Sequence, residues 1–600
     1  KDGGRTVLIS GCIDTQKVHI SSAIASGYKY MLIVTSDEAK ARKMCDDASF
    51  FNKEAIYYPA KDAIFYSADV HGNQITGERL RCISRIINHS STGEGVLTVV
   101  TTMDGIADRL IPVERFKEAV ITLDYSSEIE PEKLAKKLVA MGFVRTGMVE
   151  DKGQFAIRGG IIDIFSYTDE APVRIELWDT EVDSIRMFDV ESQRSIERLQ
   201  SYSIFPATEY IFTEDELKNG LYNIKKECDR QLECFDYGKR KRTKEQIEAG
   251  NNLNKLVADV ERTGNYEKFT DTIVADTVGL AEYFPEENTL VVLDEPNRLK
   301  ECNELTLYEY NESMKNRLAA GYVLPSQTNK VKAMNEIISD LRNNKKLILT
   351  TLDYKPEGFE IDYSMYITAR SISSYNNSFE YLAKDLEKYK KNGYTTILVC
   401  SSRTRALRIV DDLGKLGIAS FYSEDFNKDY GSGLIIVTYG SLHKGFEYPV
   451  LSFVVIAEND IFSARKMKKL KKKKHDGKNI ASFNELNIGD YVVHESHGLG
   501  VYKGIEKIQV EGVEKDYIKI AYANNGNLYV LATQLDRLQK YANQDTEKKP
   551  KLNSLGGVEW KKTKAKVTGA VEEVAKELVR LYAIRQKVEG YRFSQDTVWQ

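Results

Sequence analysis

A glycine and a lysine near the start of the chain are spaced as in a phosphate-binding loop. The apolar strand pattern Thr6–Ser10 leads into Gly11, and Lys17 follows six residues later, so two positions of G-x-x-x-x-G-K-[ST] are filled. Gln16 replaces the second glycine and would obstruct the approach of phosphate to the backbone, and Val18 replaces the hydroxyl residue that binds Mg²⁺. The sequence therefore indicates either a vestigial nucleotide site or a strand-loop-helix that never bound a nucleotide.

Two acids at the end of a distant strand could complete such a site. The apolar run Thr289–Pro296 contains Asp294 and Glu295, in the form of a Walker B strand whose carboxylates hold Mg²⁺ and orient water. Because Val18 offers no hydroxyl to share the metal, we expect these acids to be inherited and inactive. A helix cap after an ordinary strand is the alternative. We therefore predict no catalytic residue, no metal site, and neither ATP nor Mg²⁺ as a cofactor of this chain.

The elements around both motifs alternate between strand and helix patterns. Tyr30–Thr35 and Gly95–Thr101 are continuous apolar strands, and Glu78–Ile87 is an amphipathic helix. This alternation predicts a parallel sheet.

Residues 121–206 have a different pattern. A predicted helix, Pro131–Met141, is followed by runs that alternate apolar and polar residues between glycine and Asp-Thr turns. The four predicted strands are Gln154–Arg158, Ile161–Phe165, Val173–Trp178 and Val182–Phe188. Alternation at period two predicts an antiparallel meander with one buried face.

Two arginines and a tryptophan lie within these strands. Arg174 and Trp178 are four residues apart and share a side of the sheet, and Arg158 lies in an earlier strand. Arginine and aromatic side chains are enriched in binding hot spots. The alternative is that the arginines pair with Asp163 or Glu176 and that Trp178 is half-buried core.

Residues 5–300 resemble the B component of the excinuclease of bacterial nucleotide excision repair, over its first RecA-like half and inserted domain. The resemblance is greatest in FAIRGGIIDIF and VRIELWDTEVDSIRMFD. It implies that Arg158, Arg174 and Trp178 form a surface that recruits the excinuclease A component, with Trp178 in place of the commoner Phe. It also implies that the long aromatic hairpin with which the B component threads DNA is missing after Ile56–Arg81, so damage verification by strand insertion is not expected.

A second α/β unit and a basic stretch follow residue 355. The loop Gly440–Pro449 is similar to loops of a helicase second lobe, but no Q-x-x-G-R-x-x-R follows it, so we expect a structural domain without an arginine finger. Arg465–Lys478 contains nine Lys/Arg and one Asp. This composition is typical of a solvated linker, and a transient, salt-sensitive contact with phosphate is the alternative.

The segment Ile488–Tyr541 predicts a small, strongly bent antiparallel sheet or barrel. Its alternating residues are interrupted by glycines and by the pair Asn525–Gly526, which is hairpin chemistry. His494 and His497 are expected on opposite faces of a strand with no Cys nearby, so we interpret them as structural. An exposed strand here is predicted to pair with the sheet edge of a partner.

This segment resembles the polymerase-interacting module shared by CarD-type regulators and bacterial transcription-repair coupling factors. The resemblance implies that Ile508 is the anchor for the RNA polymerase β subunit, with Ile505 and Val510 beside it; a core position for Ile508 is the alternative. Beyond the module, an apolar stripe at helical spacing precedes Arg580–Gln600, which is similar to the relay helix that leads into the translocase of coupling factors.

We therefore interpret the chain as the N-terminal part of a member of the coupling-factor family, with an α/β multidomain fold. The expected parts are a degenerate RecA-like domain (1–120 and 207–355), an inserted domain that binds the excinuclease A component (121–206), an additional α/β domain (356–462), a basic linker (463–484), a CarD-like domain that binds RNA polymerase (485–545) and a relay helix (556–600). The expected function is to bind stalled polymerase and recruit the excinuclease A component. The ATP-dependent DNA translocase, with most of the DNA contact, would lie in an absent part. The alternatives are a damage-recognition ATPase like the excinuclease B component and a CarD-type transcription regulator.

Composition agrees with a multidomain globular protein. The 600 residues are 42% hydrophobic and 29% charged, with a net charge of −4, which gives no global case for binding nucleic acid. The seven cysteines are scattered without a CxxC pair, as in reduced cytosolic proteins. No signal peptide and no long apolar run occur, so we expect a cytoplasmic location without membrane contact. The start at Lys1 and the end just after a helix are expected of a fragment.

Overall fold

The computed structural model describes residues 6–52, 54–61, 72–92, 95–190, 192–236, 243–264, 266–274, 276–425, 431–462, 478–479, 489–494, 497–510, 513–523, 526–531 and 538–540, with five single residues beyond them, 552, 560, 562, 563 and 566. The chain divides into two compact units, Lys1–Arg465 and Lys466–Gln600. Most of the predicted basic linker and of the predicted relay helix lies outside the described residues.

The first unit is built on a seven-stranded sheet in which all neighbouring strands are parallel. From one edge to the other its strands are Tyr363–Tyr366, Thr6–Ser10, Lys345–Thr350, Thr289–Asp294, Tyr30–Thr35, Leu97–Thr102 and Glu54–Tyr58. The central strands are continuous apolar runs and are fully buried, as expected of a parallel sheet covered on both faces. The predicted parallel sheet is confirmed.

Helices cover both faces of this sheet. They are Asp14–Ala25, Glu38–Phe51, Gly72–Thr92, Met103–Ile106, Val113–Ala119, Pro296–Ala319 and Met334–Asp340. Two further helices, Glu214–Asp236 and Lys244–Thr263, share a separate core with Phe269 and Leu324. A short helix, Thr270–Ile273, and 3₁₀ turns at Glu267–Phe269, Leu280–Tyr283, Glu286–Asn288 and Pro325–Thr328 complete the region. Val18 and Ala41 pack with Met31 on one face, and Leu80 packs with Leu32 on the other. Adjacent strand residues therefore serve two cores.

The sheet continues past residue 355, where the sequence pattern predicted the end of the domain. The strand Tyr363–Tyr366 lies parallel to Thr6–Ser10, with Tyr363 beside Val7, and all four of its residues are exposed. Its mixed YSMY pattern gives no buried-strand signal. The next residue, Ile367, donates its N–H to the carbonyl of Ser10 at 2.9 Å, which carries the chain over the start of the loop segment, residues 11–18.

The chain leaves the first sheet after Leu97–Thr102 and returns to it at Thr289–Asp294. Between them stands a six-stranded sheet in the order Ser195–Arg198, Glu181–Phe188, Val173–Trp178, Ile161–Phe165, Gln154–Arg158 and Val144–Arg145. The four predicted strands are present with bounds within one residue. A helix, Pro131–Ala140, and a two-stranded sheet, Ile121–Asp124 with Ser201–Ile204, complete this region.

A second α/β domain follows within the first unit. Its sheet has the order Arg370–Ser371, Phe446–Tyr448, Phe453–Ala457, Thr395–Cys400, Ile435–Tyr439 and Phe421–Tyr422. The last four strands are parallel, and the first two pair antiparallel at the edge. Its helices are Phe379–Lys391, Arg403–Lys415 and Glu458–Ile461, with a 3₁₀ turn at Pro449–Leu451.

The described part of the second unit is an antiparallel sheet, the β module. Its order is Lys478–Asn479, Leu538–Lys540, Tyr491–His494, Gly498–Val510, Val513–Ala521 and Asn527–Leu531. A register shift between Tyr502 and Gly504 bends the long strand. Among the residues that the structure describes, no helix is long and apolar enough to cross a membrane.

Candidate functional sites

The structure brings Lys17 together with Asp294 and Glu295. Nζ of Lys17 lies 2.8 Å from Oδ1 of Asp294 and 2.6 Å from Oε1 of Glu295. Lys40 also pairs with Asp294, and the hydroxyl of Thr35 donates to its Oδ2 at 2.7 Å. Burial alone would raise the pKa of Asp294, but the charges of Lys17 and Lys40 outweigh burial and lower it. Asp294 is thus a buried carboxylate whose charge is balanced by lysines of the chain itself.

Glu295 is satisfied in the same way. Its Oε1 accepts hydrogen bonds from both the backbone N–H and the hydroxyl of Thr351, each at 2.7 Å, besides the bond from Lys17. The hydroxyl of Tyr354 donates to Oε2 at 3.4 Å. Lys17 itself is only 3% exposed. Since the donors of the protein already occupy both carboxylates, these acids hold the lysine and present no ready metal site.

The backbone amides of the loop segment are also used within the protein. The N–H of Ile13 donates to Oε1 of the fully buried Gln16 at 2.9 Å, and the N–H of Cys12 donates to the carbonyl of Thr350 at 3.0 Å. A phosphate-binding loop depends on free amides that converge on the anion. The side chain that replaces the second glycine therefore occupies the donor that a phosphate would need.

The space over Gly11 is filled by protein. Gly11 has φ +81°, and a Cβ atom added there would lie 2.2 Å from the carbonyl oxygen of Ile367. The replacement for the hydroxyl residue, Val18, is completely buried in the core. The residues present thus do not fit a bound nucleotide with Mg²⁺.

Residues of the second α/β domain contact the other side of the loop segment. Asp47 accepts a bond from the hydroxyl of Thr15 at 2.8 Å and from the backbone N–H of His443 at 2.8 Å. Nδ1 of His443 lies 3.1 Å from the same carboxylate, and burial raises the pKa of Asp47. Lys444 donates from its backbone to Thr15 at 3.2 Å and pairs with Asp14 at 3.0 Å. These bonds join the two α/β domains.

An aromatic cluster lies beside these bonds. Nδ1 of His19 is 2.9 Å from the hydroxyl of Tyr448, and its ring packs against Phe51, Phe446 and Phe453 at centroid separations of 5.1 to 6.4 Å. Burial lowers the pKa of His19 to about 4. His19 is therefore neutral near pH 7 and belongs to the packing between the two domains.

The antiparallel sheet of residues 121–206 carries the predicted arginines on its outward face. Nη2 of Arg158 lies 2.5 Å from Oδ2 of Asp163, and Arg174 donates from Nε and Nη2 to the two oxygens of Asp163 at 2.7 and 2.9 Å. The carboxylate of Asp163 is almost completely buried between them. The arginines pair with Asp163, as one of the two sequence alternatives proposed.

Trp178 differs from that alternative because its side chain is 80% exposed. It lies at the end of its strand, beside a turn in which Asp179 has φ +60°. Sequence reasoning missed Arg186, which is opposite Arg174 in the register and pairs with Glu176. The alternation in Glu181–Phe188 could have assigned Arg186 to the outward face. A register shift after Val182 prevents the sequence from showing that Arg186 lies opposite Arg174.

The β module presents part of the predicted polymerase anchor. The side chain of Ile505 is 47% exposed, so it is not a core residue. The side chains of Ile508 and Val510 lie outside the described residues, although their backbones pair with Lys515 and Val513. Within the described chain, the other edge of Gly498–Val510 is paired only as far as Tyr502.

The sequence predicted that the two histidines of the module, His494 and His497, lie on opposite faces of a strand. The structure shows a different arrangement. The strand ends at His494, and the ring of His497 packs against it with centroids 4.9 Å apart. The prediction was wrong because it extended the strand through His497. Among the described residues, no group of three or more His, Cys, Asp or Glu side chains could hold a metal ion.

Comparison with known proteins shows which families the sheet of residues 121–206 and the β module resemble. Residues 121–210 match the family model of the UvrB interaction domain, and residues 486–542 match that of the CarD-like/TRCF RID domain. The transcription-repair-coupling factor of Bacillus subtilis is 33% identical over 609 residues, which cover 99% of this chain and 50% of that protein. This chain is a homologue of the transcription-repair-coupling factors. The proteins of that name from Staphylococcus epidermidis and Staphylococcus aureus are 32% and 31% identical over the whole chain, again covering 50% of their length.

The chain therefore spans about half the length of the transcription-repair-coupling factors that it matches. The match to the UvrB interaction domain contains Arg158, Arg174 and Trp178, and the match to the CarD-like/TRCF RID domain contains Ile505 and the strand that follows it. The ion-pair network of Lys17 lies outside both matches.

Proposed function

We propose that this chain couples stalled transcription to nucleotide excision repair by binding RNA polymerase and recruiting the excinuclease A component. The observation that carries the proposal is that one chain contains both a UvrB interaction domain and a CarD-like/TRCF RID domain. The first is named for a repair protein, and the second for a transcription regulator. A chain that joins them is built as an adaptor between two machines.

The outward face of residues 121–206 supports recruitment of the excinuclease A component. Trp178 is the most exposed large aromatic side chain among the described residues of this sheet, and Arg158 lies on the same face. Tryptophan and arginine are the residues that most often dominate binding energy at protein interfaces. The surface fits a partner with an apolar pocket next to a carboxylate.

The long strand of the β module supports contact with RNA polymerase. Between Lys503 and Val510 its outer edge has no strand beside it among the described residues. An edge of this kind can extend the sheet of a partner, with main-chain bonds giving affinity and apolar side chains giving specificity. We assign Ile508 as the anchor for the RNA polymerase β subunit, and Ile505 and Val510 as its neighbours.

The loop segment has a structural role in this proposal. Lys17, Asp294 and Glu295 satisfy one another, so we assign no ATP turnover to this chain. Translocation on DNA, with ATP and Mg²⁺, belongs to the part of the coupling factors that this chain does not span. We assign the protein to the cytoplasm, because polymerase and repair enzymes are the partners proposed for it.

Neither rival function is favoured. A damage-recognition ATPase like the excinuclease B component would need free loop amides, and those of Cys12 and Ile13 are occupied. A plain transcription regulator would have no use for a UvrB interaction domain.

The proposal predicts that the two binding functions can be separated by single substitutions. In biolayer interferometry with the purified polymerase β subunit, Ile508→Arg should weaken binding about a hundredfold or more, because it places a charge in an apolar contact. With the purified excinuclease A component, Trp178→Ala should weaken binding about thirtyfold or more, because it removes an aromatic anchor.

Each variant is the control for the other. Ile508→Arg should keep wild-type affinity for the excinuclease A component, and Trp178→Ala should keep wild-type affinity for the polymerase β subunit. A wild-type chain that binds neither partner would overturn the adaptor function. Loss of both affinities in one variant would point to misfolding, which circular dichroism detects.

A further inference from the structure

The three side chains predicted to recruit the excinuclease A component are not equally available. Arg158 is 43% exposed, whereas Arg174 is only 13% exposed. Besides its two bonds to Asp163, Arg174 donates to the side-chain oxygen of Gln193 at 2.8 Å and stacks over the ring of Phe188 at 4.2 Å. Arg174 is therefore held by three residues and is largely covered, although it lies on the same face as Arg158.

Arg158 is held at one point only. Its Nη2 donates to Oδ2 of Asp163 at 2.5 Å, and its remaining N–H groups have no partner among the described residues. A guanidinium presents five donors in a planar fork. The free donors of Arg158 are thus available to a carboxylate on a partner, in the orientation that Asp163 imposes.

The register places Arg158 and Trp178 at the same end of the sheet. Arg158 lies beside Ile161, which lies beside Glu176, and Trp178 is two residues further along on the same face. The two exposed side chains therefore lie on the same face of strands that are separated by Ile161–Phe165, and this middle strand carries Asp163, which pairs with Arg174.

We propose that Asp163 is a positioning residue for recruitment, which fixes Arg158 in its binding orientation, and that Arg174 acts by holding Asp163 in place. Arg158 and Trp178 then make the contacts with the excinuclease A component. This inference rests on the proposed function and assigns different roles to residues that sequence reasoning treated alike. Fixing a long side chain before binding removes much of its entropic cost at the interface.

A double-mutant cycle tests this assignment. Affinity for the excinuclease A component is measured for the full chain and for Asp163→Asn, Arg158→Ala and the double variant. Asp163→Asn should weaken binding about tenfold, because an uncharged amide no longer orients the guanidinium. In the Arg158→Ala background the same change should cost less than about twofold, because the residue through which Asp163 acts is gone.

Glu176→Gln is the matched control, since it neutralises a neighbouring acid of the same face that pairs with Arg186. It should leave affinity within about twofold. If Asp163→Asn weakens binding about tenfold in the Arg158→Ala background as well as in the wild type, its effect is a general structural one, and the inference is overturned.

Arg158→Lys tests the same point without changing a buried residue. Lysine keeps the charge but lacks the planar fork, so affinity should fall about tenfold while the melting temperature stays unchanged. Wild-type affinity in Arg158→Lys, or in folded Asp163→Asn, would refute the positioning role. A wild-type chain that does not bind the excinuclease A component would instead overturn the proposed function.

Discussion

Lys17 shows how a residue type can persist when the chemistry around it is lost. In a working phosphate loop the lysine is free to reach phosphate. Here the carboxylates of Asp294 and Glu295 take the place of the phosphate, 2.8 and 2.6 Å from Nζ of Lys17. Burial lowers the pKa of Lys17, but the charges and hydrogen bonds of Asp294 and Glu295 together outweigh burial and raise it, so the lysine stays charged. The ion pair spans 277 residues of sequence and joins the helix Asp14–Ala25 to the middle strand of the sheet, Thr289–Asp294.

We predict that Lys17→Met reduces stability, whereas it would reduce catalysis in an active ATPase. Removing Lys17 leaves Asp294 with one lysine, Lys40, and takes the lysine from Glu295, so we expect a cost of about 3 kcal/mol, the lower end of the range for breaking a buried pair. The thermal unfolding midpoint should fall by several degrees, and binding of both partners should be unchanged below that temperature. Lys43→Met is the control, because Lys43 is exposed and, like Lys17, lines a cavity next to Glu295 and Thr351. Equal midpoints for the two variants would contradict a structural role for Lys17.

At the scale of elements, local pattern predicted most of the sheets and missed most of their junctions. The strands of residues 154–188 follow from period-two alternation, and Tyr30–Thr35 follows from a continuous apolar run. The edge strand Tyr363–Tyr366 has neither pattern because all four of its residues are exposed, so only its pairing with the first strand defines it. The bond from His443 to Asp47 joins residues 396 positions apart, and no local feature of either residue encodes it.

We predict that restoring the motif does not restore the site. In the double variant Gln16→Gly and Val18→Ser, the consensus G-x-x-x-x-G-K-S is complete. The carbonyl of Ile367 still covers Gly11, and the amide of Cys12 still donates to Thr350, so the anion has no cradle. Isothermal titration with ATP and Mg²⁺ should show no binding, as in the wild type. Saturable binding in the double variant, absent from a triple variant that adds Lys17→Ala, would show that two side chains alone had blocked the site.

At the scale of the first unit, the loop segment now holds the two α/β domains together. Its helix contributes Thr15 and His19, and the second domain contributes His443, Lys444 and Tyr448. In motors with two such lobes, bound nucleotide controls how the lobes meet. Here side chains and backbone groups of the chain itself make the bonds between the two domains, without a nucleotide.

This junction should weaken in acid because of His19. Burial lowers the pKa of His19 from 6.5 to about 4 in the folded protein, so between these values the unfolded chain binds a proton that the folded chain does not. The stabilising contribution of neutral His19 is complete above about pH 6.5 and is lost as the pH falls toward 4. Between pH 7 and pH 5 the loss is about 2 kcal/mol, which for a unit of this size corresponds to a fall of about 2 °C in the unfolding midpoint.

His19→Phe isolates this effect, since phenylalanine keeps a ring in the cluster with Phe51 and Phe446 but cannot titrate. The variant will lose the bond to Tyr448 and start from a lower midpoint at pH 7, so the quantity to compare is the change between pH 7 and pH 5. The fall in the unfolding midpoint between pH 7 and pH 5 should be smaller in His19→Phe than in the wild type, because phenylalanine cannot bind the proton that destabilises the wild type. If both proteins lose the same number of degrees, the acid sensitivity of this junction resides in other groups, and Asp47 with His443 becomes the pair to substitute next.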